Sequence, residues 1–293
     1  MQPLTLSHRD SLRRAIAGAV ACAFVAGWGA PVRADELPEP PREDWDFTVG
    51  LGAQYEPSYL GAKSYEFTAV PLLGVDYKDT FFASTQDGVG WNVINQNGWK
   101  VGPIARYVDS RDQEDRDFFH IGGPRTSALR GLGTVGGTIE VGGFAEFEKH
   151  GLDSTIEVRQ GVNGHEGLVV DLSSNYTHNI QHSFYDGDPP LIFTIGPRMT
   201  IVDPMYNKSY FEVNAEQSAA SGLSQYTPGG GVLSYGLNSS LTVPLSEHLA
   251  TTFELNYSQL VGDAADAPLV KERGTENQVT SGIFLTYEFG FNN

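Results

Sequence analysis

The sequence predicts an all-β protein: a single antiparallel transmembrane β-barrel of about twelve strands, with ten as the alternative count, behind a cleaved signal peptide. Three observations predict it. The N-terminus is basic, then apolar, and ends on small residues; no later apolar run approaches the length of a membrane helix; and segment after segment alternates with a period of two over ten or more residues.

The leader is read first. Arg9, Arg13 and Arg14 precede an apolar stretch from Ala15 to Gly29, and Val32-Arg33-Ala34 fits a signal peptidase site. The boundaries are therefore 1–34 for the signal peptide, 35–44 for a short periplasmic N-terminal segment and 45–293 for the barrel. An uncleaved anchor is the weaker reading, because such a stretch falls short of the roughly 20 residues that span a bilayer. A lipoprotein would use Cys22, but Ala19-Val20-Ala21 lacks the expected Leu. The paired arginines hint at a twin-arginine signal, which the residues after them do not support.

Cleavage removes Cys22, the one cysteine, so the mature chain has neither a disulfide nor a thiolate metal site. It also removes four of the 19 basic and one of the 36 acidic side chains, leaving 15 against 35 and a net charge of −20. That charge excludes nucleic acid as a partner, since no counterions would be released on binding.

The alternation is explicit. Phe47, Val49, Leu51, Ala53 and Tyr55 share one face, opposite Asp46, Thr48, Gly50, Gly52 and Gln54. Leu191, Phe193, Ile195, Pro197, Met199 and Ile201 oppose a face that carries Thr194, Gly196, Arg198 and Thr200. Tyr235, Leu237, Leu241 and Val243, then Phe253, Leu255 and Tyr257, repeat the pattern. Soluble sandwiches alternate too, but their strands are typically about five or six residues long, whereas a tilted membrane strand needs roughly ten.

Twelve strands are expected to start near Asp46, Tyr65, Phe81, Trp99, Gly133, Ser154, Leu168, Leu191, Ser209, Val232, Leu249 and Val279. An even count returns both termini to the periplasm. Tyr77–Thr80, Asn163–Gly167 and Pro244–His248 then read as short periplasmic turns. Gln181–Pro190, Ser218–Gly231 and Val261–Gln278 read as extracellular loops. The third strand is interrupted by Gln86-Asp87-Gly88.

One connection breaks this pattern. Asp109 to Gly131 is long and charged, and the strand count places it in the periplasm, where turns are normally short. It is either a solvated loop or the mark of a miscounted strand, or else a periplasmic docking segment carried by Asp109, Arg111, Asp112, Glu114, Asp115, Arg116, Asp117, Arg125 and Arg130.

Inward-facing positions carry Gln54, Asp76, Arg106, Glu140, Arg159, Asp171, Arg198, Glu254 and Glu288. Both signs inside a barrel of this size point to a cross-linked, narrow lumen. Trp45, Tyr55, Tyr65, Tyr77, Trp91, Trp99, Tyr107, Tyr257 and Tyr287 fit aromatic girdles at the two membrane interfaces, facing lipid and lipopolysaccharide. Carbohydrate binding is the alternative for these rings.

No catalytic, cofactor or metal site emerges, and no enzyme is expected. His178 and His182 share a strand face but stand roughly 13 Å apart, at about 3.3 Å per residue. His178 is expected at the outer interface, continuing the face of Leu172 and Tyr176. Ser183 beside His182 points to the opposite face, so the two make no dyad. Asp186 with Asp188, or Asp263 with Asp266, could hold Ca²⁺ through oxygen, though such loop acids are more often solvated.

The chain also resembles the MipA/OmpV outer-membrane family along nearly all of its mature length. VGLGAQYEPSYLGAKSYEFTAVPLLGVDY resembles the first hairpin, and ALRGLGTVGGTIEVGG resembles the segment after the charged connection. YNKSYFEVNAEQSAASGLSQYTPGGG and LVGDAADAPLV resemble two later motifs, and TYEF a closing strand. Glu212 departs from the family's usual Gly, Ala267 from its more frequent Ser, and the chain ends on Asn292-Asn293 rather than on an aromatic residue. The resemblance implies a non-enzymatic scaffold joining the outer membrane to a periplasmic murein transglycosylase and a murein synthase. A small-solute channel, or an adhesin acting through its outer loops, are the alternatives.

Overall fold

The computed structural model describes residues 43–114, 119–181 and 190–292. The signal peptide, most of segment 35–44, Asp115, Arg116, Asp117, His182, Ser183, Asp186 and Asp188 lie outside the described residues.

The strands are β1 (Trp45–Pro57), β2 (Tyr65–Tyr77), β3 (Phe81–Ser84), β4 (Gly88–Trp91), β5 (Ile94–Gln96), β6 (Trp99–Val108), β7 (His120–Gly122), β8 (Thr138–Lys149), β9 (Leu152–Gly161), β10 (Leu168–Ile180), β11 (Leu191–Val202), β12 (Gly231–Pro244), β13 (Leu249–Leu260) and β14 (Asn277–Phe291). Two helices, α1 (Pro204–Phe211) and α2 (Ala215–Ser221), follow β11; two more, α3 (Gly262–Asp266) and α4 (Pro268–Arg273), follow β13. None of the described helices is long and apolar enough to cross a membrane.

Every wall pairing is antiparallel, and β1 pairs with both β14 and β2, so the sheet closes into a ring of twelve strands. β5 pairs on β6 beyond β4, and β7 adds to the edge of β2. Around most of the ring, closure leaves no sheet edge among the described residues, which suits lipid because it cannot hydrogen-bond an exposed one.

The two faces separate as the period of two dictates. Val49, Leu51, Leu73, Phe253, Leu255, Ile283 and Leu285 are exposed on the outside, Leu51 by 62%. Thr242, Thr252, Thr286, Glu140 and Arg159 are buried inside. An apolar outside and a polar inside invert the arrangement of a soluble sandwich and match a wall whose solvent is lipid. Trp45, Tyr77, Trp91, Trp99 and Tyr287 form a belt near the termini, with Trp45 against Tyr77 at 4.4 Å between ring centroids. Tyr55, Tyr65, Tyr107 and Tyr257 form the belt at the other end, Tyr55 stacking on Tyr65 at 4.9 Å.

The ring has twelve members, but not the twelve expected from sequence. The expected third strand is a hairpin of two, β3 and β4, turned at Gln86-Asp87-Gly88, where Gly88 has φ 79°. The expected ninth strand, near Ser209, is helical. One strand was therefore missed and one added. The errors cancel in the count, yet every connection between them sits at the opposite end from the one expected.

Four placements are corrected. Val108 pairs with Thr138, and Trp99 with Phe147, so the Asp109–Gly131 connection leaves the wall at the end opposite the termini. It is not on the periplasmic side, given periplasmic termini. Asn163–Gly167 lies at that same far end, because Glu140 pairs with Gly161. Gln181–Pro190 joins β10 to β11 at the terminal end, since Ile180 pairs with Leu191. For the same reason His178, stacked on Tyr176 at 6.4 Å, lies toward the periplasmic interface rather than the outer one. Tyr77–Thr80 and Pro244–His248 are at the terminal end, and Ser218–Gly231 and Val261–Gln278 are opposite.

Candidate functional site

Charged side chains on neighbouring strands meet inside the barrel. Arg106 on β6, Glu140 on β8, Glu157 and Arg159 on β9 and Asp171 on β10 all face inward in register. Arg106 Nη2 lies 2.7 Å from Glu157 Oε1. Arg159 Nε donates to Glu140 Oε2 at 2.7 Å, its Nη2 to Asp171 Oδ2 at 2.5 Å and its Nη1 to Glu157. Thr200 Oγ1 donates to the other oxygen of Asp171 at 2.6 Å. A buried guanidinium needs its fork of donors filled by acceptors, and Arg159 meets three carboxylates.

Further round the ring, Arg198 Nη1 donates to Asn238 Oδ1 at 3.3 Å, and Glu254 faces the lumen from β13. Toward the terminal end, Lys100 pairs with Asp79 at 3.5 Å and with Glu146 at 3.4 Å. Inward-facing Phe82 meets Phe144 edge-on at 5.8 Å, and Leu72, Ile104 and Phe284 are buried. These side chains project into the bore.

A cap closes the end opposite the termini. Its helices begin where the sequence supplies donors' partners: Asp203 accepts the N–H of Tyr206 ahead of Pro204, and Asn214 forms a reciprocal capping box with Gln217. Gly222, at φ 79°, ends α2 in the left-handed conformation that glycine adopts freely. Phe211, Leu260, Ala264, Ala267 and Val270 pack with Val135 and Leu233 into one core. Tyr59, Leu129, Leu132, Val213, Leu223 and Leu269 form a second.

Two arginines tie the cap together. Arg111 donates to the carbonyls of Tyr210 and Ser209 at the end of α1, and Arg273 to those of Ser221 and Ala128. Both serve carbonyls that a helix leaves unpaired at its C-terminus, where positive charge is also favoured. Burial pulls the Arg111 guanidinium down to about 10, against the opposing influence of Tyr210, Tyr59 and Tyr206. Burial pushes the Tyr59 hydroxyl up to about 12, although Arg273 and Arg111 pull it down. Tyr206 and Tyr210 are also raised by burial.

His165 joins cap to lumen. It is fully buried, and its Nδ1 accepts the N–H of Gly167 at 3.0 Å. The proton is therefore on Nε2, which donates to Glu140 Oε1 at 2.9 Å. Its ring packs against Tyr206 at 4.9 Å and Tyr210 at 6.0 Å.

Part of the charged connection joins this cap. Arg111 is inside it, and its backbone bridges to Val135. Asp112 accepts Thr134 Oγ1 at 3.2 Å and the N–H of Glu114 at 3.0 Å. Asp109, Arg125 and Arg130 are exposed. Asp263 accepts the N–H of Gly229, and Asp266 pairs with Lys271 at 2.5 Å, so each acid already has a partner. Among the described residues no group of three or more His, Cys, Asp or Glu could hold a metal ion.

Sequence reading did not single out Glu157, His165, Tyr206, Tyr210 or Arg273. Glu157 stands two residues before Arg159 on the same strand, so the period of two could have found it. His165 carried no such signal, because a turn has no face.

Fold and site together define an outer-membrane β-barrel with a lumen cross-linked by ion pairs and a helical cap. The model of the family described as MltA-interacting protein MipA matches residues 49–289, and the chain belongs to that family. The segments that resembled the family in sequence supply the tip of the first hairpin, α1, α2, α3, α4 and the 128–135 loop, which are the parts of the cap. Among curated proteins none matches. Solved structures similar to the chain include OprB from Pseudomonas putida, at 16% identity and TM-score 0.34, covering 76% of this chain and 59% of that one. CdiB from Acinetobacter baumannii is similar at 6% identity and TM-score 0.35, with 85% and 60% covered. Neisserial surface protein A is similar at 5% identity and TM-score 0.24, with 84% and 98% covered. The chain thus spans about three-fifths of the length of OprB and of CdiB.

Proposed function

We propose that this outer-membrane barrel is a non-enzymatic scaffold that holds murein-remodelling enzymes at the membrane, rather than a diffusion pore. The observation that carries the reading is a charged ladder centred on Arg159, cross-linking three strands beneath a cap with its own apolar core. A barrel built as a conduit would spend its interior on a water path. The family name, MltA-interacting protein, supports a periplasmic murein transglycosylase as one partner, with a murein synthase as the second.

The Asp109–Gly131 connection does not suit this docking role, because a periplasmic enzyme reaches only the end that bears the termini. The docking face in this proposal is therefore the ring of short turns around Lys78, His150 and Leu245, all exposed. Photo-crosslinking residues placed singly at those three positions should capture a murein enzyme in intact cells. The same residue at Arg130 should not. Capture from Arg130 alone, or from none of the four, would overturn the proposal.

A further inference from the structure

The wall is thin at one place. β3 and β4 have four residues each, beside thirteen in β2 and ten in β6. Their hairpin climbs only as far as Gly74 of β2, which pairs with Ser84, and Ala105 of β6, which pairs with Val89. Thr85 extends the contact by one step, its N–H reaching Leu73 O at 2.9 Å. Above that point β7 takes over the edge of β2: Thr68 pairs with His120, Phe67 with Gly122, and the N–H of Ala69 donates to Phe119 O at 2.8 Å. A piece of the charged connection is therefore completing the barrel wall.

That patch is slight. Among the described residues no strand pairs with the other edge of β7, and Ile121 is 61% exposed. Behind it Glu66 Oε2 contacts His120 Nδ1 at 2.8 Å, and the buried Thr68 Oγ1 has no hydrogen-bond partner among the described residues. Gly123, at φ 99° and followed by Pro124, provides a pivot just beyond the strand. The height is informative too. Phe67 packs on Tyr55 at 4.8 Å, within the outer aromatic belt, so β7 stands at the headgroup level.

We propose that β7 is a movable wall segment whose release opens a side portal between the lumen and the outer leaflet. The ligand class is an amphiphile whose polar head enters the lumen while its chain stays in lipid. With the axial route capped, the side is the route left to a molecule arriving from that leaflet. Arg106 and Glu157, just below the portal, offer charge to a head group. This inference does not depend on the scaffold reading.

The test uses the full barrel in phospholipid vesicles with lysophosphatidylethanolamine carrying a photoreactive group on its head group. The one cysteine of the sequence, Cys22, is outside the described residues, so Phe67→Cys with Gly122→Cys gives a defined pair across the β2–β7 contact. Labelling of the lumen-facing residues Arg106 and Glu157 should fall at least ten-fold on oxidation and return with reductant. His120→Gln, which removes the imidazole that contacts Glu66, should raise it several-fold; heat-modifiable gel mobility reports folding in each case. Lumen labelling equal in the oxidised and reduced pair would overturn the proposal. So would labelling confined to outward residues such as Phe253 in both the native barrel and His120→Gln.

Discussion

His165 Nε2 lies 2.9 Å from Glu140 Oε1, and this contact joins the cap to the charged ladder of the lumen. Removing the imidazole would leave a buried carboxylate oxygen and the Gly167 N–H without partners. Each unsatisfied group costs about 1–3 kcal/mol. His165→Ala is therefore expected to loosen the cap while the wall stays closed. Limited proteolysis should cut the 203–231 region faster, with unchanged heat-modifiable mobility. Equal protease resistance would show that the cap holds without this contact.

Arg159 is the centre of the ladder. Arg159→Met would leave Glu140, Glu157 and Asp171 buried with one guanidinium, Arg106, among them. Breaking such a buried ion cluster typically costs about 3–5 kcal/mol. Reversible unfolding in urea from lipid vesicles should show a loss of that order. A loss under about 1 kcal/mol would mean that water reaches the cluster, since exposed pairs are worth that little.

The charged connection separates into structural and surface residues. Arg111→Ala should destabilise the cap by about 2–4 kcal/mol, because two helix-end carbonyls lose a charged donor in a buried place. Arg130→Ala, at an exposed position, should stay within about 0.5 kcal/mol. Denaturant midpoints followed by protease accessibility of the cap would compare the two.

Alkaline titration tests the cap core. Tyr59 holds its proton up to about 12 in the folded state, against an ordinary value of 10.0. Between those values the folded protein binds more protons than the unfolded one, so stability is fully present below pH 10 and lost as pH rises through 12. The loss amounts to about 3 kcal/mol from this residue. Phenolate absorbance should show a late-ionising fraction that appears together with cap opening. Tyr59→Phe should remove part of that alkaline loss.

Much of the wall was legible because lipid outside and polar groups inside impose a period of two, which Phe253-Glu254-Leu255-Asn256-Tyr257 displays directly. The misreadings came where another signal competed. Gln86-Asp87-Gly88 is a tight turn between two short strands, but it reads equally well as a flaw in one longer strand. Asp203-Pro204 and Asn214–Gln217 are helix-start signals, yet their neighbours alternate well enough to pass for a strand. These two places decide which end of the barrel the charged connection occupies, and so whether it could dock a periplasmic partner. The candidate lumen charges were readable as inward positions. Their pairing was not, since register between strands is set by the closed ring and not by any one segment.

Planar-bilayer recording of the purified, refolded barrel tests the capped, cross-linked bore most directly. The account expects no steady conductance above the bare membrane at moderate voltage, and openings only when the ladder is broken, as in Arg159→Met. A stable, large conductance from the native protein would contradict it.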